Sequence, residues 1–167
     1  MSKSKSKLSV VIALTALLTL ICTLVLPGVC LESQTYQSSD FTYIFGFTSI
    51  FGGVVKPVGS NLNCPLTFNL GSFIALALVL VSAILVYIFD KQISSYVFSA
   101  ILFVISGVLF LFNQRFVIEA NGYIMGFTNY LYTAFGTYVS LGLCCLGLLE
   151  CSIGAYLLKS DTRRKYR

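Results

Sequence analysis

Four stretches of this chain, Leu8 to Leu26, Gly71 to Phe89, Tyr96 to Phe112 and about Tyr132 to Leu158, are predominantly apolar, and Glu150 is the one charge inside them. Crossing a hydrocarbon core about 30 Å thick takes roughly 20 helical residues at ~1.5 Å each. The pattern therefore predicts an all-α membrane protein, a bundle of four transmembrane helices. Composition agrees: 57% of residues are hydrophobic, 10% are charged and the mean hydropathy is +0.89, more apolar surface than a soluble domain of 167 residues could hide.

Lys3, Lys5 and Lys7 precede the first run as a signal peptide's basic region would. That run, however, exceeds the ~7–15 apolar residues of a signal sequence and no small-residue cleavage site follows it, so it reads as a retained helix. Orientation follows from Lys and Arg. Nine of the eleven fall in the N-terminal segment, at Lys91 and in the tail at Lys159, Arg163, Arg164, Lys165 and Arg167, leaving Lys56 and Arg115 for the other two loops. Both termini are expected in the cytoplasm of a multi-pass cell-membrane protein. The formal net charge of +5 comes from these flanking cations. Contact with anionic lipid explains them, and no nucleic-acid partner is expected.

The chain repeats itself. Residues 43–48 read YIFGFT and residues 123–128 read YIMGFT, each in a loop after an odd-numbered helix. Gly71-Ser72-Phe73-Ile74-Ala75-Leu76-Ala77-Leu78 then matches Gly136-Thr137-Tyr138-Val139-Ser140-Leu141-Gly142-Leu143 in the same order. The reading is two tandem two-helix repeats. The first, 1–90, holds a span at 8–26, an outside loop at 27–70 and a span at 71–89. The second, 91–167, holds a span at 96–112, a loop at 113–131, a span at 132–158 and the basic tail 159–167. A unit with two spans re-enters the membrane in the same direction, which makes the repeat parallel.

The two outside loops are expected to form a small β-structure. Arg115 to Ala120 and Tyr123 to Thr128 flank Asn121-Gly122, a hairpin signal. In the first loop Glu32 to Gln37 and Phe41 to Thr48 flank a Ser38-Ser39-Asp40 turn. A re-entrant or interfacial segment over 41–55 is the competing reading of that charge-free aromatic run.

Chemistry is thinly represented. There is no histidine, which excludes imidazole acid–base catalysis and imidazole metal ligands. The six carboxylates Glu32, Asp40, Asp90, Glu119, Glu150 and Asp161 are scattered, and no phosphate-binding glycine loop occurs. No enzyme activity, cofactor, metal site or catalytic residue is expected. Six cysteines include no C-x-x-C pair; Cys30 and Cys64, at either end of the first outside loop, are the candidate disulfide.

Gly136, Ser140, Cys144, Gly147, Cys151 and Ala155 follow spacings that put six small residues on one face of the fourth helix, an expected helix-packing face. Glu150 lies beside it, well inside the membrane boundary, where an ionisable group costs roughly 2–3 kcal/mol and should face protein or water. It is the candidate intramembrane functional acid, structural or part of an ion pathway; its counterpart in the first repeat is Leu85. The repeated loop residues Tyr43, Gly46, Phe47, Thr48, Tyr123, Gly126, Phe127 and Thr128 complete the set of interest.

Four spans, cytoplasmic ends, a large first outside loop and a smaller second one together resemble the plan of claudin-type proteins. The chain has no tryptophan and its loop cysteines lie far apart, unlike that family's first-loop signature, so the likeness is one of architecture. It implies adhesion, scaffolding or an accessory-subunit role, through another membrane protein or a second copy. A small oligomeric transporter or channel using Glu150 is the alternative.

Overall fold

The computed structural model describes residues 7–32, 41–56, 63–121 and 131–165, with side chains as far as residue 160. In chain order the elements are α1 (Lys7–Val25), β1 (Pro27–Glu32), β2 (Phe41–Phe45), α2 (Gly46–Phe51), β3 (Gly53–Val55), β4 (Cys64–Leu66), α3 (Leu70–Ile88), α4 (Ile93–Leu111), α5 (Asn113–Asn121), β5 (Leu131–Thr133) and α6 (Phe135–Lys165).

Four helices, α1, α3, α4 and the Phe135–Ser160 part of α6, are long and apolar enough to cross a membrane. The patterning of α1 is the inverse of a soluble helix. The buried face of α1 carries Ser9, Ile12, Thr15, Ala16, Thr19 and Thr23, while Leu14, Leu17, Leu18 and Ile21 point outward. Hydrocarbon solvates leucine as well as a protein core does, so large apolar side chains gain nothing by facing inward, and small or hydroxyl-bearing residues mediate helix contact instead. The helices form a four-membered ring in which α1 and α4 each pack against α3 and α6. Tyr96, Phe103 and Phe110, stacked along α4, fill its centre together with Ile12, Val79 and Val86.

Glycines set two of the approaches across α4 and α6. A Cβ on Gly147 would stand 2.6 Å from the Phe103 ring, and one on Gly154 would stand 2.4 Å from the Tyr96 ring. The largest rings of the bundle thus lie flat against backbone.

At the end of the bundle away from both termini, the connections build a cap. β2, β1 and β5 form an antiparallel sheet in that order, and β3 pairs with β4. Side chains of a strand alternate between faces. Val29, Leu31, Ile44 and Leu131 therefore share one face, and they pack with Val55, Cys64, Leu66 and Val117 into a second apolar core. Strands were expected in the first loop, and β1 to β4 are present among its described residues. The strand expected over Glu32 to Gln37 lies outside the described residues beyond Glu32, where β1 ends, and so do the Ser38-Ser39-Asp40 turn and the YIMGFT motif.

Four expectations are corrected. Arg115 to Ala120, expected as a hairpin strand, is part of helix α5, which continues α4 after a break at Phe112. Asn113, Val117 and Asn121 are its buried face, a helical i, i+4, i+8 pattern that outweighs the β-propensity of Phe116, Val117 and Ile118. Asn121 is consequently not a turn residue: its amide donates to Val117 O and accepts from Thr67 N, at 2.8 and 2.7 Å, tying the end of α5 to the segment after β4. Tyr132 and Thr133, expected at the start of the fourth span, belong to β5.

The YIFGFT motif is not one extended strand either. Tyr43 to Phe45 complete β2, and Gly46, Phe47 and Thr48 open α2. Lastly, Cys30 and Cys64 are both free and buried. Cys64 sits in the cap core, whereas Cys30 lies between Val29 and Leu31 and so points to the opposite face of its sheet. Burial there raises the Cys30 pKa above the ordinary thiol value.

The bundle and the cap meet at Gly46. Its N–H donates to Leu26 O at 2.9 Å, and a Cβ would stand 1.6 Å from Thr23 O, so α2 rests directly on the last turn of α1. Gly46→Ala should cost about 1–3 kcal/mol, the range for forcing volume into a packed site. Thermal unfolding in detergent reads it, and an unchanged midpoint would contradict this contact.

Candidate functional site

Buried hydroxyls occur on all four long helices, Ser82 on α3 and Ser99 and Ser106 on α4 among them, and one group of them forms a line between α1 and α6. Thr15, Thr19 and Thr23 recur every four residues on α1, so they fall on one face. Thr19 donates to Thr15 O at 2.8 Å and Thr23 to Thr19 O at 2.7 Å, which satisfies both hydroxyls within their own helix. Two contacts then cross to α6. The Thr23 and Ser140 hydroxyls are 2.7 Å apart, and Thr15 Oγ1 donates to Glu150 Oε1 at 3.0 Å.

Glu150 is half-buried, with its other carboxyl oxygen, Oε2, buried and lacking a hydrogen-bond partner among the described residues. The acid thus has spare bonding capacity at membrane depth. Leu85, the counterpart expected from the sequence match, is half-buried on α3 and offers no second carboxylate.

The six small residues of α6 serve two neighbours. Gly136 meets Leu26 and Pro27, and Ser140 meets Thr23, all at the α1 end of the cap junction. Cys144 and Gly147 face Gly107 and Phe103 of α4. Cys151 is fully buried, and Ala155 is half-buried against the bundle core.

At the cap end the seam opens into a hub around Asn113. Its Oδ1 accepts from Ser72 Oγ at 2.5 Å and from Asn69 Nδ2 at 3.5 Å, while its Nδ2 donates to Thr137 Oγ1 at 3.5 Å. Thr137 Oγ1 in turn donates to Gly28 O at 2.8 Å, and Asn69 Oδ1 caps α3 by accepting from Ser72 N at 3.1 Å. One carboxamide therefore links β1, α3, α5 and α6. Ser72 and Thr137 hold matching positions in the similar segments 71–78 and 136–143, as do Gly71 and Gly136, each the second residue of its helix. A cavity of about 10 Å³ lies among Thr23, Ser49, Ser72, Asn113, Thr137 and Ser140, room for about one water molecule.

Sequence reading singled out Glu150 and the α6 face, noted Ser72 and Thr137 only as matching positions of the expected repeat, and passed over Thr15, Thr19, Thr23 and Asn113. The four-residue recurrence of threonine in a leucine-rich run was the available signal for the first three. Tyr43, Gly46, Phe47 and Thr48 are in the cap, while Tyr123, Gly126, Phe127 and Thr128 lie outside the described residues. Among the described residues no three His, Cys, Asp or Glu side chains cluster as metal ligands.

Glu150→Gln keeps an acceptor for Thr15 and should leave stability near that of the wild type. Glu150→Ala removes the contact and should cost about 0.6–2 kcal/mol, the range for interhelical hydrogen bonds in membranes. Thermal unfolding of the two variants side by side checks this, and an Ala variant as stable as wild type would show the Thr15 contact to be without weight. Scanned against models of protein families the chain matches none, and no curated protein matches it in sequence.

Proposed function

We propose that the chain is a non-enzymatic multi-pass membrane protein acting through protein–protein contact, as an adhesion, scaffold or accessory subunit. One observation carries this reading. Phe41, Tyr43 and Phe45 of β2 and Tyr132 of β5 share the sheet face that turns away from the cap core, and they are 40, 58, 56 and 45% exposed. Phe41 and Tyr132 meet edge to face at 6.4 Å, bridging β1. Cys30, opposite both Tyr43 and Tyr132, is buried beneath the patch. Exposed aromatic surface of this kind marks an interaction site, and aromatic residues are enriched in interface cores.

With the nine-to-two distribution of Lys and Arg, the termini are cytoplasmic and the patch lies outside the cell membrane. The duplication is supported by the pairing of Ser72 with Thr137 about Asn113 and by the matched glycines. Because the bundle centre is filled by Tyr96, Phe103 and Phe110, there is little room for a pathway through one copy. The unpartnered Oε2 of Glu150 is what favours the second reading, a small oligomeric transporter or channel.

The test places a cysteine at Tyr43 in a cysteine-free background and treats intact cells with a membrane-impermeant thiol cross-linker. The expected result is labelling without permeabilisation and a cross-linked product, with a partner or a second copy, that Phe41→Ser with Tyr132→Ser removes. Labelling only after permeabilisation would overturn the orientation. Absence of any product, together with a liposome ion or proton flux lost in Glu150→Gln, would favour the transporter reading.

A further inference from the structure

The cap carries a second aromatic cluster, on different elements from the sheet patch. Phe47 and Phe51 of α2, Phe68 before α3 and Phe73 in the first turn of α3 are 58, 40, 47 and 39% exposed. Their rings form a connected group, with centroids 4.9 Å apart for Phe47 and Phe51, 6.0 Å for Phe51 and Phe73, and 5.3 Å for Phe68 and Phe73.

Two observations place this cluster beside the ends of the membrane-spanning helices. First, α2 is clamped at the level of the helix ends: Gly46 N–H bonds to Leu26 O after α1, and Asn69 N–H, at the cap of α3, bonds to Ile50 O at 2.8 Å. Ile50 itself is 1% exposed and belongs to the apolar core of the bundle, so α2 closes the bundle with one face and shows its phenylalanines on the other. Second, the cluster is continuous with the outward face of a membrane-spanning helix. Phe73 heads the exposed stripe Phe73, Ala77, Leu80 and Ile84 that runs down α3. Lys56, exposed just after β3, ends the charge-free segment.

We propose that α2 and its phenylalanine cluster form a lipid-docking shelf, seated in the leaflet on the cap side of the membrane, about 5–10 Å into the boundary between headgroups and acyl chains. Phenylalanine is among the residues that interfacial helices turn toward the acyl chains. The shelf takes acyl chains and the glycerol region of the bilayer as its ligand, and the Gly46 and Gly52 N–H groups and the Ile50 carbonyl beside it are paired with protein, which lowers the cost of that depth. It supplies the interfacial element that the run from Phe41 to Val55 suggested, but only from Gly46 onward, since β2 belongs to the sheet.

The chain has no tryptophan, so a single introduced indole is a unique reporter. Phe47→Trp, Phe51→Trp and, as a contrast from the sheet face, Tyr43→Trp are reconstituted as full chains in phosphatidylcholine vesicles with acyl chains brominated near the carbonyl or near the methyl end. Both shelf variants should show blue-shifted emission, strong quenching by the near-carbonyl bromines, weaker quenching by the deep ones and little by aqueous iodide. Tyr43→Trp should show the reverse preference for iodide. Quenching of both shelf variants by iodide and not by bromolipid would overturn the proposal, and so would shielding from both quenchers, the signature of a protein partner over α2. The sheet-patch reading is untouched by either outcome, because it is read at Tyr43 by cross-linking.

Discussion

The Asn113 carboxamide is the point on which the two halves of this molecule depend. It sits 5% exposed where α4 passes into α5, and its partners come from β1 through Thr137, from α3 and from α6. A polar group so deeply placed is costly unless bonded, and here the bonds run between elements far apart in sequence. Removing it would leave the Ser72 hydroxyl and the Asn69 amide short of an acceptor at the place where helix bundle and cap meet.

The same constraint shapes the rest of the bundle. With lipid outside, leucine burial gives little drive toward helix association, so contacts rest on glycines against rings and on hydroxyls bonded across or along helices. Gly147 on Phe103, Gly154 on Tyr96, and Ser99 donating to Ser82 O at 2.9 Å are of this kind. The cap, with Val29, Leu31, Ile44 and Leu66 facing inward, is built like a soluble core, whereas the large buried rings of the bundle sit in a frame of glycines and hydroxyls. The molecule therefore has an inside-out bundle carrying an ordinary small domain on one end. The outward aromatics of the cap fall into two groups, one on the sheet face and one on α2 and the start of α3.

How much of this the residues disclose depends on the physics behind each element. The four spans were legible to within a few residues because hydrophobic length has one explanation. The α6 face was legible as a spacing, and Glu150 as a cost. Helix α5 was not, since Phe116, Val117 and Ile118 favour a strand locally and only burial of Asn113, Val117 and Asn121 against distant partners decides for helix. The Cys30 and Cys64 pairing failed for a similar reason: loop position says which cysteines share a compartment, not which face of a strand each occupies. Asn113 passed unnoticed because an asparagine after a transmembrane run reads as a boundary marker.

Hydrogen–deuterium exchange of Asn113→Ala beside wild type tests the hub most directly. The account predicts faster exchange in Val29 to Leu31, Leu131 to Ala134 and the first turn of α3 together, with the middles of the four long helices unchanged. Exchange that is unaltered, or accelerated only within α5, would show that Asn113 does not join the cap to the bundle.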